Sequence, residues 1–168
     1  MWYVMQVATG REHRIKARCE ARIPGDVLGK CFIPMYESKK KIDGRWNIEE
    51  KILFPGYILF TTEDIDTLRC CLKDVDGLTR VLGCGDVMVP LADSEVAFLE
   101  RFMDEEDIVR MSEGIIENSR VIIQQGPMMG LEGYITKIDR HKRKAYLEME
   151  LFGRTQKVEV GLEIVRKM

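Results

Sequence analysis

A change of texture after Gly114 constrains this chain more than any other feature. Downstream, VIIQQG, GYITKI, AYLEMEL, QKVEV and LEIV are short segments punctuated by Gly126, Gly130, Gly133, Gly153 and Gly161. Five short strands within about 50 residues predict a small barrel rather than a sandwich. AYLEMEL contains helix formers, but Tyr146, Glu148 and Glu150 alternate with Leu147, Met149 and Leu151, which is the period of a half-buried strand. Each glycine would cost ~1 kcal/mol inside a helix, which argues against a helical reading of this part.

Upstream, helical and strand patterns alternate. WYVMQVA reads as a buried strand, and Thr9 with Glu12 has the spacing of a capping box opening a helix that stops at Pro24-Gly25. Ile15, Cys19 and Ile23 form the apolar stripe of that helix, and Arg11, Arg14, Arg18 and Arg22 form a second stripe. GKCFIPMYES reads as a strand, KKKIDGRWNIEEK as a polar hairpin turning at Asp43-Gly44, and KILFPGYILF as another strand. DIDTLRCCLKDV is a short helix capped by Asp64 or Asp66, LTRVLG a short strand, and SEVAFLERFM a helix whose face carries Val96, Leu99 and Met103. DEEDIVRMSEG is acidic and reads as a linker. The expected organisation is α+β: an antiparallel-sheet α/β sandwich over residues 1–103, a linker over 104–114, and a small β-barrel over 115–168.

KILFPGYILF interrupts its own core pattern. Pro55 cannot donate to a ladder, and Gly56 weakens any strand it enters. A bulge or turn there would let Ile58 and Phe60 face the core and leave Phe54 and Tyr57 at or near the surface, as part of an interface.

Composition and motifs narrow the function classes. With 45% hydrophobic and 32% charged residues the chain is globular in type, and no apolar run reaches the roughly 20 residues that span a bilayer. The N-terminus has no signal-peptide pattern, and five cysteines with no C-x-x-C predict reduced, buried thiols and a cytoplasmic location. No catalytic motif is present, and His13 and His141 both sit in basic, exposed-type clusters. The carboxylates at 104–107 are consecutive and do not converge on a metal, and the glycines of GPMMGLEG do not open a helix that could cradle a phosphate. We therefore expect no enzyme activity, cofactor or metal, and a monomer.

Binding remains. Residues 1–114 carry 16 Lys and Arg against 21 Asp and Glu, while residues 115–168 carry 10 against 7. In the second part Arg140, His141, Lys142, Arg143 and Lys144 lie between two strands, flanked by Lys137 and Tyr146. A hairpin tip of this kind can neutralise several phosphates, and a solvated turn is the alternative. Arg11, Arg14 and Arg18 are candidates for the same role, or for ion pairing within their own domain.

Taken together, WYVMQVATGREHRIKARCE, FPGY at 54–57, the Val-Leu-Gly strand end at 81–83 and PLADSEVAFL resemble the N-terminal domain of the NusG family of transcription elongation factors. The segment from VIIQQG to QKVEV, with LFGR at 151–154, resembles that family's C-terminal KOW domain. The resemblance implies a ribonucleoprotein-like sandwich flexibly joined to an SH3-like barrel. It implies that the first domain grips the clamp helices of the largest subunit of RNA polymerase through an apolar patch. Phe54 and Tyr57 are the candidates in the matching motif, and Leu82 and Val96 are placed by position alone. Phe152 and Arg154 match the KOW strand end that contacts recruited factors, among which the family includes the termination factor Rho and a small-subunit ribosomal protein. The basic turn and the Met128-Met129 pair depart from the housekeeping pattern and resemble the specialised LoaP antiterminators. That subfamily implies processive antitermination helped by a KOW domain that binds a nascent RNA hairpin. A housekeeping factor and a KOW-containing RNA-binding protein of translation or ribosome assembly are the other readings.

Overall fold

The computed structural model describes residues 1–75, 80–81, 83–84 and 87–167. In chain order the elements are β1 (Trp2–Gln6), α1 (Glu12–Arg22), β2 (Cys31–Phe32), β3 (Met35–Ile42), β4 (Arg45–Ile52), β5 (Tyr57–Thr61), α2 (Ile65–Leu72) and β6 (Arg80–Val81). They continue with β7 (Gly83–Cys84), β8 (Val87–Met88), α3 (Asp93–Phe102), β9 (Ile108–Val109), β10 (Ser112–Glu117) and β11 (Arg120–Gln125). A 3-10 turn at Glu132–Tyr134 precedes β12 (Ile135–Asp139), β13 (Lys144–Leu151) and β14 (Arg154–Lys167). The expected α+β class is the one observed.

The chain forms two compact units. The first is Met1–Ile33 with Phe54–Val96, and the second is Pro34–Leu53 with Ala97–Met168. In the first, an antiparallel sheet has the order β2-β5-β1-β6. Tyr3, Val4 and Met5 of β1 and Ile58, Leu59 and Phe60 of β5 are consecutive and buried, so both faces of the central strands are covered. α1 packs on β2 and β5, turning Ile15 and Cys19 inward as its four-residue spacing predicts. Asp64 caps α2, its Oδ1 accepting from the Thr67 amide at 3.1 Å.

The capping box expected at Thr9 and Glu12 does not form. Arg11 is the N-cap residue and makes no side-chain cap. Glu12 is buried, and its carboxylate accepts from two loop amides instead, Gly10 and, at 3.2 Å, Gly56. The buried Gly56 amide competes better for a carboxylate oxygen than a helix end that water can reach.

In the second unit five strands pair in the order β11-β10-β14-β13-β12, with β10 and β14 parallel and the other pairs antiparallel. Leu147, Met149 and Leu151 are buried while Glu148 and Glu150 are exposed, so the alternation of AYLEMEL is realised. QKVEV and LEIV, expected as two strands, form one, β14, that runs through Gly161. Gly161 is therefore not a turn. A Cβ there would stand 2.5 Å from the Glu37 carbonyl and closer still to the Met111 sulfur, so the glycine permits close backbone approach.

GKCFIPMYES also divides, at Ile33-Pro34, into β2 and β3. β3 and β4 make a hairpin registered from Met35↔Ile52 to Ile42↔Arg45. Its two-residue turn is Asp43-Gly44, at φ 51° and 78°, the doubly positive geometry such hairpins require. In residues 104–114, Asp104 Oδ1 accepts from the Glu106 and Ile108 amides, β9 pairs with β3, and β10 begins at Ser112.

Candidate functional site

FPGY is a tight turn. The Tyr57 amide donates to the Phe54 carbonyl at 3.1 Å, and Gly56 adopts φ +86°. Pro at the second position and positive-φ Gly at the third give a type II turn. The expected exposure of its aromatics is corrected by the structure: Phe54 is 1% exposed and Tyr57 is 6% exposed. Tyr57 opens β5, whose neighbours on both sides are paired strands, and this central position places its ring in the core. Of the other residues expected to touch a polymerase, Val96 is half-buried on α3 and Leu82 lies outside the described residues.

On α1, Arg11 and Arg14 are exposed and Arg18 is half-buried. Arg22 donates to the Asp74 carbonyl at 2.8 Å, and Lys16 pairs with Glu20 at 2.6 Å. This stripe belongs to the first unit, whereas the basic turn belongs to the second.

The basic turn between β12 and β13 divides into exposed and engaged side chains. Arg140, His141 and Lys142 are exposed. The Lys142 amide donates to Asp139 Oδ1 at 3.0 Å, a bond that holds the Asp139 carboxyl below its ordinary range. Arg143 and Lys144 are occupied within the fold, so the turn does not present all five of its basic-type residues to solvent. Arg143, at φ 53°, lays its guanidinium 3.9 Å over the Trp46 ring and its Nη1 3.2 Å from Glu163. Lys144 is buried, its Nζ 3.3 Å from Glu159 Oε2, which also accepts from the Tyr36 hydroxyl at 2.9 Å. Lys39 reaches the second oxygen of Glu163 at 2.7 Å. The two cations thus neutralise carboxylates shared with the β3–β4 hairpin, a role no local pattern signals.

Glu163 is held below the ordinary carboxylate range chiefly by the Lys39 hydrogen bond, against a smaller opposing effect of burial. Burial pushes Glu159 up, and the hydrogen bonds from Tyr36 and Lys144 more than reverse it. Lys137 is exposed, its Nζ 5.6 Å from the Tyr146 ring centre.

The LFGR strand end is a second doubly positive turn, Phe152 at φ 58° and Gly153 at 75°. Phe152 is buried and Arg154 exposed, so the arginine is the one of the pair presented outward. Among the described residues no group of three or more His, Cys, Asp or Glu could hold a metal ion, and no helix is long and apolar enough to cross a membrane. The expectation that every thiol is buried needs correction, because Cys70 is exposed.

Sequence reasoning passed over the hairpin tip as merely polar. Lys40, Lys41 and Arg45 are exposed there, and Ile42, Trp46 and Ile48 are exposed large apolar side chains. The signal was present in KKKIDGRW, a cationic run with a tryptophan in a segment that has no core to fill.

Comparison with known proteins agrees with this architecture. The family profile described as "Transcription termination factor nusG" matches residues 1–100. The chain is 26% identical over 174 residues to the transcription termination/antitermination protein NusG of Halalkalibacterium halodurans, covering 99% of this chain and 98% of that protein. It is 27% identical over 175 residues to the NusG of Bacillus subtilis, with the same coverage. A solved structure titled "Domain interaction in Thermotoga maritima NusG" superposes with a TM-score of 0.55 at 19% identity, over 95% of this chain and 92% of that one, and shares the fold. With a family match over more than half of its length, the chain belongs to the NusG family of transcription termination/antitermination factors.

Proposed function

We propose that the protein is a specialised NusG-family factor that binds RNA polymerase through its N-terminal domain and nascent RNA through its KOW barrel, promoting processive antitermination. The observation that carries the RNA part is the exposed Arg140-His141-Lys142 tip, which the folded barrel leaves facing solvent. Such a tip meets phosphates at little desolvation cost, and its affinity would fall with salt as counterions are released. A structured RNA would be read there through shape and backbone. The N-terminal domain, residues 1–103, takes the polymerase clamp helices as its partner in this reading. Among the described residues of the proposed contact, the half-buried Val96 is the accessible one, since Phe54 and Tyr57 are buried.

The test is a reconstituted transcription assay on a template with a terminator, with and without the leader RNA sequence. Read-through that needs both the protein and the leader supports the reading. Read-through that is independent of the leader returns the chain to a general elongation role. Failure to co-purify with core RNA polymerase removes the polymerase part. Val96→Glu should weaken co-purification without unfolding the chain, which circular dichroism would verify.

A further inference from the structure

The β3–β4 hairpin tip and the β12–β13 turn, far apart in sequence, are brought together within one compact unit. Five side-chain contacts tie them: Arg143 on Trp46, Lys39 and Arg143 on the two oxygens of Glu163, and Tyr36 and Lys144 on Glu159. Beyond these ties the hairpin continues as a ribbon whose residues 40–48 are all exposed. A two-stranded ribbon with both faces in water is marginal by itself, so extending one past its anchor adds little to the stability of the fold. What it does is present Lys40, Lys41 and Arg45 to solvent, with Asp43 at the turn the lone opposing charge in the tip.

We propose that this tip and the exposed turn residues Arg140, His141 and Lys142 form one composite surface that grips the phosphodiester backbone of RNA. Trp46 holds the two halves in register. One side of its ring carries the Arg143 guanidinium, and the side chain stays 37% exposed, so its rim is available to an unpaired base. The nearby carboxylates offset only part of this positive charge. Glu163 is paired to both Lys39 and Arg143, and Asp139 accepts from a turn amide. A shallow pocket lined by Arg140, His141, Arg143, Glu163 and Ile164 lies on the turn side of this surface. The inference rests on the RNA-binding reading above and adds to it the hairpin, which the reading of the barrel turn alone does not need.

The test uses the full chain and a fluorescein-labelled RNA stem–loop with a single-stranded loop, followed by anisotropy across a salt series. Two triple variants are compared with the parent: Lys40→Ala/Lys41→Ala/Arg45→Ala in the hairpin and Arg140→Ala/His141→Ala/Lys142→Ala in the turn. With three fewer phosphate contacts, the hairpin variant should lose about 2 from the slope of log K against log salt, and about 50-fold in affinity near 0.15 M salt. The turn variant removes two full charges, Arg140 and Lys142, and should lose about 1.4 from the slope. All six side chains are exposed, so circular dichroism of both variants should match the parent. If the hairpin variant binds as the parent does while the turn variant is weakened, the composite surface is wrong and the barrel-turn reading stands. If the parent shows no salt-dependent binding, both fall. The same stem–loop in DNA distinguishes the sources of the phosphodiester, and tighter binding of DNA would overturn the assignment to RNA.

Discussion

Replacing Glu12 by Ala should destabilise the first unit far more than its place at a helix start suggests. The carboxylate is 2% exposed and accepts from the amides of Gly10 and Gly56, joining the loop before α1 to the turn before β5. Removing it leaves both donors without an acceptor. The Gly56 bond is buried and the Gly10 bond only partly so, and water can therefore compensate at Gly10 alone. At about 1–3 kcal/mol per orphaned group, discounted at Gly10, the loss is about 2–4 kcal/mol. Glu12→Gln keeps one acceptor oxygen and should lose about half as much. Glu20→Ala on the same helix removes an exposed pair with Lys16 and serves as the control, at about 0.5 kcal/mol or less. Urea unfolding followed by Trp2 emission, with Trp46 replaced by Phe, reports on β1 and so on this unit. Hydrogen exchange should show the Gly56 amide losing protection in Glu12→Ala. A Glu12→Ala midpoint equal to that of Glu20→Ala would refute the idea that the carboxylate holds the FPGY turn.

Three further outcomes follow from particular contacts. Gly161→Ala should cost about 1–3 kcal/mol and shift Trp46 emission, because the new methyl meets the Glu37 carbonyl of β3 at 2.5 Å and that backbone must give way. Acid should loosen the hairpin from the barrel: Glu159 and Glu163 are depressed in the folded state, so their contribution is present above the ordinary value of 4.5 and is lost as pH falls below it. A Trp46 emission change centred above pH 4.5 would contradict that sign, and its amplitude should be modest because Glu159 is 41% exposed. Among the described thiols, labelling of the native chain should modify Cys70 first, whereas burial pushes Cys19 up to about 11 and Cys31 up to about 12, keeping both unreactive until the unit unfolds.

How far the fold could be read in advance depends on whether the deciding neighbours are close in sequence. The Asp43-Gly44 turn, the Asp64 cap and the alternation of β13 all depend on residues within a few positions, and all were legible. Gly161 was not, because its reason for being glycine is the carbonyl of Glu37, more than a hundred positions earlier. The same rule explains Phe54 and Tyr57. Pro55-Gly56 announces a turn, but a turn sets only backbone direction, and which side of it is covered depends on distant chain.

The candidate site obeys this rule most sharply. Five basic-type residues in a row look equivalent in sequence, and each could be given to a phosphate with the same justification. Glu159, Glu163 and Trp46 break the equivalence by engaging Arg143 and Lys144 and leaving Arg140, His141 and Lys142 outside. The two engaged cations are not lost to function in the proposed surface, because each fastens the hairpin that carries three more. Substituting Arg143 alone should then act at a distance: it would free the hairpin, through Trp46, from the β12–β13 turn and weaken RNA binding by more than the single charge removed. Arg143→Lys keeps the charge but forfeits the flat stack on Trp46, and so separates fastening from charge. If Arg143→Lys binds RNA as tightly as the parent, while Arg143→Ala loses only what one phosphate contact is worth, the residue is an ordinary member of the footprint and the hairpin is not held by it.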